Sequence, residues 1–297
     1  MRILSAVNSK RRHAHISMVM STSMVCGYIL SWAVLGSLFS GGNWKMLFLL
    51  PAVMVIIPLV IWSDVLRSGR GLRFKKKKAP GLRPTVHIIK KSHLIFVIGI
   101  CVCSGLIRES ISIWAPVMMV KTLGFKQQNS FLLLFIVPLF NFGGILFARW
   151  LQSRGRKLGL PGARIEPNGR IGNMLMIFFA GTLLCGAGFL VFSGVSGLLG
   201  LFFISLISGM SFGANSILLS FIPLSQARHG IVSTLVGVFD FFTYIGAAVS
   251  AYGLGFMLEG NSGRFIPLIW MFFAAAAVVL GYFYKSAKRK EPGDGGE

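Results

Sequence analysis

Acidic residues are scarce in this chain. Eight Asp and Glu stand among 297 residues, against thirty Lys and Arg, and charged residues in total make up only 13%. Soluble domains carry about a quarter charged residues, so a soluble globular chain is excluded on composition. Histidines number five and cysteines four. Cys26, Cys101, Cys103 and Cys185 all fall in apolar runs, and no His cluster or second Cys pair completes a metal-binding pattern. They read as small packing residues. No cofactor is expected. No paired carboxylates at useful spacing, phosphate-cradling Gly-rich loop or nucleophile motif is present, so the chain is expected not to be an enzyme.

What the chain has in abundance is apolar length. Hydrophobic residues make up 54%. A helix needs roughly 20 apolar residues to cross a bilayer core of about 30 Å. Eight such helices are expected, over 17–39, 45–63, 93–120, 130–148, 171–192, 198–223, 231–257 and 264–284. The fold class is all-α, polytopic and membrane-embedded.

The formal charge of +22 does not point to nucleic acid, because of where it sits. Twenty-five of the Lys and Arg fall before the first span, after the last, or in alternate connections. Lys45, Lys121, Lys126 and Arg264 lie on the opposite side. Positive residues gather on the cytoplasmic side of helical membrane proteins, so both termini are expected there, in the cell membrane. The longest polar stretch, 64–92, divides two spans from six. Its run Lys75, Lys76, Lys77 and Lys78 suits anionic lipid head groups or a plain solvated linker.

Charges inside spans are the informative exceptions. SGLIRESISIWAPVMMVKTLG, residues 104–124, places Arg108 and Glu109 side by side in an apolar run, with Trp114 and Pro116 following. An ionisable group at membrane depth is expensive and marks a site or a partner. Asp240 is the other mid-span charge. Arg108 is expected to hold an anionic solute or to neutralise Asp240. Asp240 is expected to form that pair or to carry a coupling proton. Glu109, one residue on, is expected about 100° round the helix, facing a different neighbour. Asn141 and Asn215 supply polar groups for a ligand or for helix–helix hydrogen bonds.

These residues resemble the major facilitator superfamily, and within it the organophosphate:phosphate antiporters such as the bacterial glycerol-3-phosphate transporter. Gly42-Asn43-Trp44-Lys45 before Phe48 is similar to the turn between that fold's fifth and sixth helices. Arg108 with Trp114-Ala115-Pro116 is similar to its seventh helix, and Gly213 through Gly230 to Gly237-Val238-Phe239 to its tenth and eleventh. The resemblance implies that 1–63 holds the last two helices of an N-terminal bundle and 64–92 a basic cytoplasmic central loop. It assigns 93–284 to a six-helix C-terminal bundle and 285–297 to a cytoplasmic tail.

The eight spans then correspond to helices five to twelve of an N-terminally truncated transporter. The implied function is secondary active transport of small anionic metabolites, organophosphates first, by alternating access. Substrate contacts fall to Arg108, Trp114, Asn215 and Asn141. The chain departs from the antiporters in lacking a first-helix arginine, in Met24 near the place of a fifth-helix histidine, and in acidic Asp240. The departures leave open a proton-coupled symporter or effluxer of another solute, or a membrane protein that does not transport alone.

Overall fold

The computed structural model describes residues 23, 26–31, 45–68, 82–126, 133–157, 170–226, 230–259 and 265–290. Among these every regular element is helical. The order is α1 Met46–Ser68, α2 Leu82–Lys91, α3 Leu94–Lys121, α4 Ile136–Lys157, α5 Arg170–Phe192 and α6 Gly197–Ser216. A π-helical turn, Ile217–Phe221, leads to the short α7 Ile222–Ser225, then α8 Val232–Glu259 and α9 Ile266–Lys290. Residues 26–31 are helical as well.

Of the eight expected spans, five stand among the described residues as helices long and apolar enough to cross a membrane: α3, α5, α6 with its continuation to Ser225, α8 and α9. Their ends fall within two residues of expectation except at the basic end of α9, which runs on to Lys290. α1 carries a shorter apolar stretch, Phe48–Asp64. The first expected span, 17–39, lies largely outside the described residues, as do Lys75–Lys78. Of the expected fourth span, 130–148, residues 130–132 lie outside the described residues; Leu133 is helical, 134–135 form a turn, and α4 runs from Ile136 past the expected end to Lys157. Pro138 suits the first helical turn, where an N–H is not needed. Arg154 suits the other end, where cations meet exposed carbonyls.

The connection 64–92 is not a plain loop. α1 continues through Ser68, and α2 occupies Leu82–Lys91. Its Ile88 and Ile89 face inward and His87 and Lys90 outward, a pattern that helical periodicity supplies even in a basic segment. The chain turns from α2 into α3 at His93, the one described non-glycine residue with positive φ, at 54°.

The π turn in α6 has a local cause. Pro223 has no N–H for the carbonyl four residues before it, so the regular ladder cannot continue. The backbone widens, and the Ile222 N–H donates to the Ile217 carbonyl five residues back.

α3 is the interior helix, with 67% of its most apolar window buried against 28% for α8. It packs on α8, α9 and α6, while α4 and α5 pack on α6, and α5 on α9. Two crossings depend on absent side chains. A Cβ at Gly105 would overlap the Thr243 carbonyl, and one at Gly246 the Val102 carbonyl. A Cβ at Gly144 would likewise overlap the Gly209 carbonyl, between α4 and α6. In lipid, close backbone approach takes over the driving role that water exclusion plays in soluble proteins.

Candidate functional site

Arg108 sits mid-way along the interior helix with only 1% of its surface exposed. Its Nη2 donates to Glu109 Oε1, and the two form an ion pair. Among the described residues its Nε and Nη1 have no partner. The guanidinium lies over the Phe212 ring of α6, 5.6 Å from the centroid. Tyr28 meets Phe212 edge-on at 6.0 Å. Ser112, Arg108 and Glu109 lie near the Tyr28 hydroxyl, within its electrostatic reach. Ser112 also donates to the Arg108 carbonyl at 3.1 Å. The cluster therefore joins the first apolar segment to α3 and α6.

Glu109 does not face away, as the 100° step predicts. Both side chains are long enough to bend around the helix, and a buried guanidinium attracts the nearest carboxylate. Among the described residues no ion pair links Arg108 to Asp240, the partner expected from the sequence. Asp240 is half-buried on α8, one turn before Thr243, and shares with Arg108 the electrostatic surroundings of the Cys101 sulfur.

The asparagines divide. Asn141 is buried and accepts a hydrogen bond from Ser208 at 2.6 Å, tying α4 to α6. Asn215 is buried with its Oδ1 unpartnered, and Ser211 Oγ one turn earlier is unpartnered too. Ser208, Ser211 and Asn215 recur at spacings of three and four, along one face of α6. Trp114 lies away from the guanidinium: its indole packs over Gly255 of α8, with Nε1 buried and unpartnered.

The structure thus brings Arg108 and Glu109 together and places Asn141, Asn215, Trp114 and Asp240 at separate points of the same bundle. Sequence reasoning missed Tyr28, Ser112 and Phe212. The one available signal was Tyr28, a lone phenol in the first apolar run. Phe212 is one of 26 phenylalanines and carries no mark of its own.

The profile of the Major Facilitator Superfamily matches residues 1–251. This chain belongs to the major facilitator superfamily. No curated protein and no solved structure gives a significant match. As a superfamily member, it is a multi-pass membrane protein of the secondary transporter class, which carries small solutes.

Proposed function

We propose that this superfamily member transports small organic anions, with Arg108 as the anion-binding group. The observation that carries the reading is a guanidinium almost wholly withdrawn from the surface, with two of its three nitrogens unpartnered. A buried cation with free donors suits a ligand that forks onto it, and phosphate and carboxylate oxygens do this. Organophosphates are the leading class through the antiporter resemblance. Asn215, with its free Oδ1, suits a hydroxyl or protonated oxygen of the solute. Trp114 and Asn141 complete the proposed contacts, and Asp240 the coupling machinery. Translocation follows the superfamily's pattern of two bundles rocking about a midplane site. The charge asymmetry of the connections supports cytoplasmic termini in the cell membrane, with Lys75–Lys78 against anionic lipid.

The test is uptake in liposomes containing the purified protein, loaded with phosphate and offered labelled glycerol 3-phosphate and labelled lactate. Arg108→Lys is expected to abolish uptake of whichever is carried, because an ammonium cannot reproduce the planar fork. Unchanged uptake removes Arg108 from the site. A wild-type chain that moves no solute under any gradient supports the non-transporting alternative.

A further inference from the structure

The basic end of α4 carries a stack that solute binding does not use. Phe147, Trp150 and Arg154 follow at spacings of three and four along one face. The Phe147 and Trp150 rings stack, 5.8 Å apart and 20° from parallel. The Arg154 guanidinium lies over the Trp150 ring, 4.5 Å from its centroid. Phe147 also meets Phe178 of α5 edge-on at 5.4 Å, so the stack is rooted in the bundle. We propose that Trp150 and Arg154 form a binding site for the head group of an anionic phospholipid, in the leaflet at this end of α4. The site is separate from the Lys75–Lys78 run and does not rest on the anion reading of Arg108.

The depth of the stack places it at the membrane border. Arg170, the first residue of the α5 span, donates from Nη2 to the Leu151 carbonyl at 2.9 Å. Leu151 therefore lies level with the start of a membrane crossing. Trp150 beside it falls where indole rings settle among head groups. Arg154, about one turn further on, reaches past the hydrocarbon. On the other side of Trp150 the exposed face of α4 is apolar, with Leu146, Phe142 and Leu139. Gly143 is exposed there, and a Cβ on it would meet nothing within 4 Å, which leaves a shallow groove. From Leu139 to Trp150 is about 16 Å of helix, about the depth of one leaflet's acyl region. An acyl chain on the groove and a phosphate on Arg154 thus match the two ends of one lipid molecule.

Charge decides the class of lipid. The sequence holds no Asp or Glu from 110 to 165, so Arg154 has no carboxylate among its sequence neighbours. Among the described residues no ion pair includes Arg154. Arg154 and Trp150 are both exposed. The ring beneath the guanidinium limits its orientations and leaves its N–H edge free, and that fork fits two oxygens of a phosphate. Arg149 and Arg170 add positive potential at the same end. A zwitterionic head group brings its own cation into this field, and a head group of net negative charge does not.

The experiment offers the purified full chain, in detergent, equimolar phosphatidylglycerol and phosphatidylcholine, and counts the retained lipid by native mass spectrometry. The wild type is expected to keep phosphatidylglycerol over phosphatidylcholine by about tenfold, the factor of one charge-assisted contact. Arg154→Gln is expected to bring the ratio close to one. Trp150→Leu keeps the apolar surface, removes the ring under the guanidinium, and is expected to lower the ratio about threefold. Lys90→Gln removes an exposed cation from α2 and is expected to leave the ratio unchanged. A photo-crosslinkable phosphatidylglycerol is expected to label the wild-type segment 146–157, which reads the site directly should a variant fail to fold.

A wild-type ratio of one overturns the proposal, as do crosslinks confined to other segments. Arg154→Gln or Trp150→Leu at the wild-type ratio does the same. Lys90→Gln that lowers the ratio as much as Arg154→Gln also overturns it, because net charge and not the stack then selects the lipid. Inorganic phosphate that displaces the lipid at equal concentration makes the ligand a free ion and overturns the lipid site.

Discussion

The Trp270 indole N–H donates to the Ser110 hydroxyl at 2.8 Å, joining α9 to α3 two residues from Arg108. Ser110 in turn donates to the Ile107 carbonyl at 2.7 Å, and both side chains are buried. Trp270 is among the largest fully buried side chains of the described residues. The bond therefore fixes the rotation of α3, and with it the direction in which Arg108 and Glu109 project.

Removing this bond is expected to loosen the interior helix. Trp270→Phe keeps most of the packed volume and removes the donor to the Ser110 oxygen, whose hydroxyl keeps its bond to the Ile107 carbonyl. The loss is expected at about 1 kcal/mol, the scale of a buried hydrogen bond between membrane helices. A double-mutant cycle of Trp270→Phe with Ser110→Ala, read by unfolding in mixed detergent, is expected to return a coupling energy of about 0.6–1 kcal/mol. Additive single effects would show that the two residues do not act together.

The glycine crossings give a graded prediction. Gly105→Ala and Gly246→Ala force a methyl into backbone on the facing helix and are expected to cost about 1–3 kcal/mol each, the range of an overpacked interior. Gly237 and Gly253, on the same helix as Gly246, have open space where a Cβ would stand. Gly237→Ala and Gly253→Ala are expected to be neutral or to stabilise by about 0.5–1 kcal/mol through helix propensity. Equal effects at all four positions would contradict the packing described for α3 and α8.

The ion pair of Arg108 predicts which substitutions rescue each other. Arg108→Gln leaves Glu109 half-buried without its cation, a change on the order of 3–5 kcal/mol where a pair is fully buried and less here. Folded yield in the membrane fraction is expected to fall clearly. Arg108→Gln with Glu109→Gln is expected to recover it. Asp240→Asn, which breaks no ion pair with Arg108, is expected to express within about twofold of wild type. Rescue of Arg108→Gln by Asp240→Asn rather than by Glu109→Gln would restore the pairing expected from sequence.

The two asparagines separate stability from binding. Asn141→Ala removes the acceptor of the Ser208 hydroxyl between α4 and α6 and is expected to cost about 1–2 kcal/mol. Asn215→Ala removes an oxygen that has no partner and is expected to leave stability within about 0.5 kcal/mol, while lowering solute exchange about tenfold in liposomes. An Asn215→Ala protein with normal exchange would take Asn215 out of the solute site.

The sequence alone determined the class of protein, nearly all the ends of the five described spans, and the place of Arg108 inside an apolar helix. Each depends on a sum along the chain: about 20 apolar residues per crossing, and a charge that stands out where none belongs. The antiporter-like Arg108 and Trp114-Ala115-Pro116 pointed to the superfamily that the profile then matched over residues 1–251. The tertiary structure decided who meets whom. It paired Arg108 with Glu109 instead of Asp240, gave Asn141 to Ser208, turned Trp114 onto Gly255, and brought Tyr28 and Phe212 to the guanidinium. The physical reason is the solvent. Hydrocarbon is as apolar as a protein interior, so lipid-facing and core-facing residues look alike and hydropathy does not mark the inward side of a membrane helix. Which way a helix turns is set by glycine contacts and a few hydrogen bonds between residues far apart in sequence, such as Trp270 and Ser110. Those contacts exist only once the helices have packed.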